Sequence, residues 1–186
     1  RFVRGRVLDV GSGAGRHALH LQERGHEVVC IDNSPLALEV CRRRGVLETR
    51  EMSVYQVSRS LGKFDTVIMM GGNLGLLADV DRGRRLLERL DRVTSPKARI
   101  IGETRDPHHG DDPTHTAYHE SNLKQGKMAG QVRIRVRYRQ YVGAWFNYML
   151  VSRDELRSVL AGTNWVLSRT IDSDGPEYAA VIEKKS

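Results

Sequence analysis

Two carboxylates and a run of glycines are the residues best suited to chemistry in this chain. Asp9 stands two positions before the run Gly11-Ser12-Gly13-Ala14-Gly15, and Asp32 closes the apolar stretch Val28 to Ile31. Small residues let a ligand approach the backbone, and a helix opening behind such a turn presents free N–H groups. A carboxylate at the tip of the next strand is placed to accept hydrogen bonds from both hydroxyls of a ribose. Asp9 interrupts the apolar run Val7, Leu8, Val10. Burial there is costly without a cationic or hydrogen-bonded partner, and a ligand ammonium would be such a partner. The glycines follow GxGxG. The dinucleotide fingerprint GxGxxG needs a third glycine where Arg16 stands, which argues against a nicotinamide-binding oxidoreductase.

Further candidates lie downstream. Gly71, Gly72 and Asn73 follow the apolar run FDTVIMM. Residues 104–130 are polar and carry Asp106, His108, His109, Asp111, Asp112, His115, His119 and Glu120. A connection of this length inside one domain is usually functional or mobile. Glu103, His108, His109 and His119 are the candidate proton acceptors, since an amine or hydroxyl nucleophile must shed a proton. His115 and His119 would share a metal only on a helix opened by Pro113 and Thr114; a polar substrate lid is the preferred reading, and no metal is expected. Arg133, Arg135, Arg137 and Arg139 alternate with Val132, Ile134, Val136 and Tyr138, which is strand periodicity. Such a row is a solvated face or, in the alternative, a patch for RNA. Trp145, Phe146 and Tyr148 are either an aromatic wall over a substrate or ordinary hairpin core.

These residues need elements to hold them. Residues 7–35 read as strand, glycine turn, helix, strand, with Ser34 capping and Pro35 opening the next helix. That helix ends at Gly45. A short third strand falls within Thr49 to Val57, and Phe64 to Met70 is the fourth. A helix from Asp81 to Val93 buries Leu86, Leu87, Leu90 and Val93, and is closed by Ser95-Pro96. Ala98 to Gly102 is the fifth strand. Residues 131–139 and 144–151 form a hairpin turning near Val142-Gly143. Ser152 and Glu155 make a capping box for the last helix. Strands near Trp165 to Ile171 and Tyr178 to Glu183 end the chain.

At 186 residues the chain is one domain, 1–186, with residues 104–151 as an insertion on the substrate side. No apolar run approaches the roughly 20 residues of a membrane span. Cys30 and Cys41 fall on apolar positions and read as buried thiols of a cytoplasmic protein. The net charge of +7 permits an anionic partner without requiring one. The first strand begins so early that a preceding helical segment is expected.

Residues 7–45 resemble the cofactor-binding half of the class I S-adenosylmethionine-dependent methyltransferases. FDTVIMMGGNLGLL, ARIIGE and the closing helix with its strand pair are similar to later parts of that family. The resemblance implies an α/β, three-layer, doubly wound fold. Its mostly parallel seven-stranded sheet would have strand order 3-2-1-4-5-7-6 with strand 7 antiparallel, and a β-hairpin lid inserted between strand 5 and the last helix. It implies S-adenosyl-L-methionine as cofactor. Asp9, Gly11, Ser12, Gly13 and Gly15 would line its methionine and ribose part, Asp32 the ribose hydroxyls, and Asn33 the adenine. Gly71, Gly72 and Asn73 would sit at the methionine end. The family's adenine-binding Asp is absent, and Glu51-Met52-Ser53 stands in its place. Met52 would pack on the ring and Ser53 would bond it. The expected activity is methyl transfer to the oxygen or nitrogen of a small molecule by in-line displacement. The alternatives are an RNA methyltransferase and a non-catalytic cofactor-binding module.

Overall fold

The computed structural model describes residues 2–109 and 113–185; Asp111 and Asp112 lie outside them. In chain order the first half is β1 (Val7–Val10), α1 (Arg16–Gln22), β2 (Val28–Asp32), α2 (Pro35–Arg43), β3 (Glu48–Glu51), β4 (Phe64–Met69), α3 (Val80–Arg92) and β5 (Thr94–Arg105). The second half is α4 (Pro113–Lys124), β6 (Gln131–Ile134), β7 (Arg137–Tyr138), β8 (Tyr141–Val142), β9 (Phe146–Met149), α5 (Arg153–Leu160), β10 (Trp165–Asp172) and β11 (Glu177–Lys184). Short 3-10 turns follow β3 and β4.

Seven strands form one sheet in the order β10-β11-β5-β4-β1-β2-β3. The pairs among β1 to β5 are parallel, and β11 runs antiparallel to both β5 and β10. This is the topology expected from the resemblance. The period-2 alternation of strands divides the core into two layers. Leu8, Val10, Val67, Met69 and Ile100 meet Leu86, Leu87 and Leu90 of α3 and Leu156 and Val159 of α5. Val7, Cys30, Ile68 and Ile101 meet Ala18 and Leu21 of α1 and Cys41 of α2 on the other side. Cys30 and Cys41 are buried free thiols. Trp165 and Tyr178 are buried with their polar ends satisfied, by the Leu87 and Val151 carbonyls at 3.0 and 2.9 Å. The second bond ties the exit of the insertion to the sheet.

The insertion and its approaches differ from the expectations in four ways. β5 spans Thr94–Arg105 rather than Ala98 to Gly102, because β11 pairs with it from Arg99 to Arg105 and Phe64 of β4 pairs with Thr94. β3 stops at Glu51, where the capping box of Ser53 and Gln56 turns the chain into a 3-10 helix. The polar stretch contains α4, whose faces are polar nearly all round, so it carries no apolar stripe. Buried Asn122 anchors its end by donating to the Ala129 and Gln131 carbonyls at 2.8 and 2.7 Å. The hairpin is two separate ribbons, β6 with β9 and β7 with β8, and its turn lies at Arg139-Gln140, with Arg139 at φ 51°.

That division breaks the arginine row. Arg133 and Arg135 lie over the Trp145 ring at 5.9 and 4.8 Å, while Arg139 stacks on Tyr138 at 5.4 Å. Trp145 lies between the two ribbons, whereas Tyr138 is in β7.

Candidate functional site

A cavity of about 1230 Å³ opens at the C-terminal ends of β1, β2 and β4. Ligand sites of doubly wound sheets lie at this edge. Gly11, Gly13, Asp32, Asn33, Met52, Ser53 and Asn73 line it, which are seven of the residues singled out from the sequence.

The turn between β1 and α1 is built around Asp32. Its two carboxylate oxygens accept from Gly13 N–H at 2.9 Å and Ser34 N–H at 2.8 Å. One side chain therefore locks the glycine turn and the start of α2 together. Each oxygen keeps a further lone pair for a ligand. The Asp32 carbonyl accepts from Met52 N–H at 2.9 Å, which fixes the tip of β3 beside it.

Asn73 closes the other end. Its amide donates to the Val10 and Gly11 carbonyls at 3.0 and 2.9 Å. Gly11 has φ 67°, and a Cβ there would stand 2.5 Å from the Asn73 amide nitrogen. Gly11 is thus required both by its backbone angle and by the crossing side chain. Asn73→Ala removes both bonds, and a loss of about 2 kcal/mol in stability is expected in urea titration.

Five of the expected residues stand behind the cavity rather than on its wall. Gly15, at φ 76°, begins α1, and a Cβ there would meet Val46 and the Cys41 sulfur at 2.6 and 2.7 Å. Ser12 lies against the Cys30 and Cys41 thiols. The Gly71 N–H donates to Glu103 at 3.0 Å, and the Gly72 carbonyl accepts from the Tyr148 hydroxyl. Asp9 is buried beneath the turn with its Oδ2 unpartnered. Burial, and then the charge of Asp32, pushes its carboxyl up to about 7.

The candidate bases are dispersed. Glu103 braces the turn after β4. His108 sits 3.6 Å from Glu155, and His119 stacks between His108 and His115 at centroid distances of 6.3 and 6.5 Å. Burial, with the two neighbouring imidazoles, holds His119 below the ordinary histidine value. His109 and His119 line a second cavity beside the first.

Trp145 and Phe146, open between a wall and hairpin core in the sequence, line the first cavity, and sequence reasoning missed Tyr55, Leu76, Arg82, Val136, Gly143, Ala144 and Asn147 beside them. The Tyr55 hydroxyl donates to the Leu76 carbonyl at 2.5 Å and joins the turns after β3 and β4. No local signal marks these residues, because the insertion comes over the sheet edge only in three dimensions. Tyr148 packs so closely on Gly75 that a Cβ there would lie 2.2 Å from its ring. Tyr148 thereby seats the β6–β9 ribbon on the turn after β4.

The site suits a nucleoside with a cationic tail better than a pyrophosphate. The N–H groups of Gly11, Ser12, Gly13 and Gly15 all spend their hydrogen bonds inside the protein. A diphosphate would find few of them free. Asp32 instead supplies negative charge, and the unpartnered oxygen of buried Asp9 marks a place where a nearby cation would favour the ionised form.

Comparison with known proteins agrees. The methyltransferase domain family matches residues 7–97. A structure of a SAM-dependent methyltransferase from Bacteroides fragilis, in complex with S-adenosyl-L-homocysteine, superimposes with a TM-score of 0.82 at 25% identity. It covers 100% of this chain and 74% of that one. The family match and the likeness to that structure support a class I S-adenosylmethionine-dependent methyltransferase, a family that uses S-adenosylmethionine as its cofactor. Among curated proteins it is 29% identical over 124 residues to a glycine/sarcosine N-methyltransferase of Halorhodospira halochloris, covering 61% of this chain and 46% of that protein. It is 34% identical over 87 residues to a magnesium-protoporphyrin O-methyltransferase of Rhodobacter capsulatus, covering 45% and 38%. The chain thus spans less than half the length of these two relatives. Among the described residues, no helix is long and apolar enough to cross a membrane.

Proposed function

We propose that this protein transfers a methyl group from S-adenosylmethionine to an oxygen or nitrogen of a small molecule, and that residues 1–186 act as one methyltransferase domain. The observation that carries this reading is the cavity bounded by the glycine turn, Asp32 and Asn73, roofed by the insertion. The glycine/sarcosine and magnesium-protoporphyrin relatives name small-molecule acceptors, one methylated on nitrogen and one on oxygen. Neither of these relatives is named for a nucleic-acid acceptor.

When bound, the cofactor would supply an electrophilic sulfonium methyl for in-line attack by the acceptor's lone pair, the carbon–sulfur electron pair leaving on the thioether sulfur and the acceptor's proton passing to solvent. Asp32 would hold the ribose hydroxyls, Met52 and Ser53 the adenine beside Asn33, and Gly11 the chain leading to the sulfur. Asn73, Gly71 and Gly72, braced by Glu103 and Tyr148, would set the position of the methionine end. Much of the rate would come from alignment, with reacting atoms held about 3–3.5 Å apart. Trp145 and Phe146 would exclude water above the cavity. The insertion 104–151 would close the acceptor side.

Calorimetry with S-adenosylhomocysteine and, separately, NAD tests the reading. Micromolar binding of the first with none of the second is expected. Binding of NAD, or of neither, would overturn it.

A further inference from the structure

The second cavity, about 590 Å³, lies off the end of β5 between α4 and β6. That volume falls within the range of about 300–1,000 Å³ usual for small-molecule sites. Its charge is one-sided. Arg105 and Arg133 reach it with His109, His115 and His119, and no carboxylate lines it among the described residues. The nearest acids are occupied elsewhere. Glu155 caps α5 and faces His108, and Asp106 accepts from His108 N–H and pairs with Arg153. The rest of the wall is Thr114 and Thr116 with the apolar or aromatic residues Pro107, Tyr118, Val132, Ile134 and Leu150.

Two connections place this cavity next to the proposed reaction centre. Arg133 lines both cavities. Arg105 lies two residues beyond Glu103, the carboxylate that holds the Gly71 turn. The two cavities therefore share a wall at Arg133, and the second lies off the strand that carries Glu103.

We infer that the second cavity receives the methyl acceptor, and that this acceptor is a carboxylate with an apolar or aromatic body, paired by Arg105 and Arg133. This rests on the methyltransferase reading and narrows its substrate class. Planar guanidiniums match a carboxylate with two parallel hydrogen bonds, and they keep their charge at any relevant pH. The apolar wall would hold the body of the molecule and leave its nucleophilic end turned to the shared edge.

The test is calorimetry on the full chain with benzoate, phenylacetate and indole-3-acetate, each against its primary amide, with and without S-adenosylhomocysteine. At least one carboxylate should bind tenfold or more tightly than its amide. Arg105→Gln should reduce that affinity about tenfold, the loss expected for one charge-assisted hydrogen bond, while binding of S-adenosylhomocysteine stays unchanged. Arg133→Gln should weaken the carboxylate similarly, and a melting temperature like the wild type's would show that both variants fold. Equal binding of acids and amides, no binding of any acid, or indifference to both substitutions would overturn the inference. Because the acids are also titrated without S-adenosylhomocysteine, loss of cofactor binding alone would strike the methyltransferase reading and leave the anion site standing.

Discussion

Asp32→Ala is expected to weaken S-adenosylhomocysteine binding by more than a hundredfold. A hydrogen bond to a charged group contributes about 1.5–3 kcal/mol, and two ribose hydroxyls would lose their acceptor together. The same substitution frees the Gly13 and Ser34 N–H groups, so the turn loosens as the ligand contact goes. Asp32→Asn separates the two effects. It keeps the shape and one carbonyl oxygen, but sets an NH2 against a backbone N–H. Its affinity should fall between the two, with a smaller drop in melting temperature than the alanine variant. Calorimetry reads the first quantity and thermal unfolding the second. Affinity within threefold of wild type in Asp32→Ala would remove the ribose role and leave Asp32 as a clasp for the loop alone.

The second large effect is a pH dependence of stability from Asp9. Its carboxyl has an ordinary value of 3.8 and is pushed up to about 7 by burial and then by Asp32. The folded state therefore holds a proton that the unfolded chain has already released. Stability from this group is fully present below about pH 4 and is lost as pH rises towards 7, after which it stays level. At about 1.4 kcal/mol per pKa unit, the loss amounts to about 4 kcal/mol. Asp65 and Asp91, held low in the folded state, contribute in the opposite sense at more acid pH. The informative quantity is thus the difference between wild type and Asp9→Asn, measured by urea unfolding at several pH values from 4 to 8. Without ligand, the variant should gain relative to wild type across this window. A parallel pair of curves would show that Asp9 is not protonated in the folded protein. A cationic ligand near Asp9 would favour its ionised form. Saturating S-adenosylmethionine should then flatten the wild-type curve.

The strands of the sheet were legible because their signals are local and strong, and their order followed from the family resemblance. Apolar strands, a glycine turn, the Ser34-Pro35 helix start and the Ser152–Glu155 capping box each declare themselves within a few residues. The tips of β1, β2 and β4 were legible for the same reason. Asp32 was expected as a ribose ligand, and the structure adds that it clasps Gly13 and Ser34. Glu103 was expected only as a possible base, and it proves to be a brace for Gly71. α4 was hidden because helix periodicity needs an apolar stripe, which its polar surface lacks. The hairpin register was hidden because alternating arginines specify a strand but not its partner.

The strand order came with the family resemblance; by itself, the sequence determined the strands, the glycine turn and the acids that stand at the strand tips. These follow from backbone preferences and apolar periodicity, which act between near neighbours. Tertiary structure alone decided how the insertion lies. It put Trp145 and Phe146 over the first cavity, seated Tyr148 on Gly75, and brought Arg105 of β5 to the same hollow as Arg133 of β6. Contacts between residues so far apart in the chain depend on packing and on the closing of long loops, and no local pattern records them.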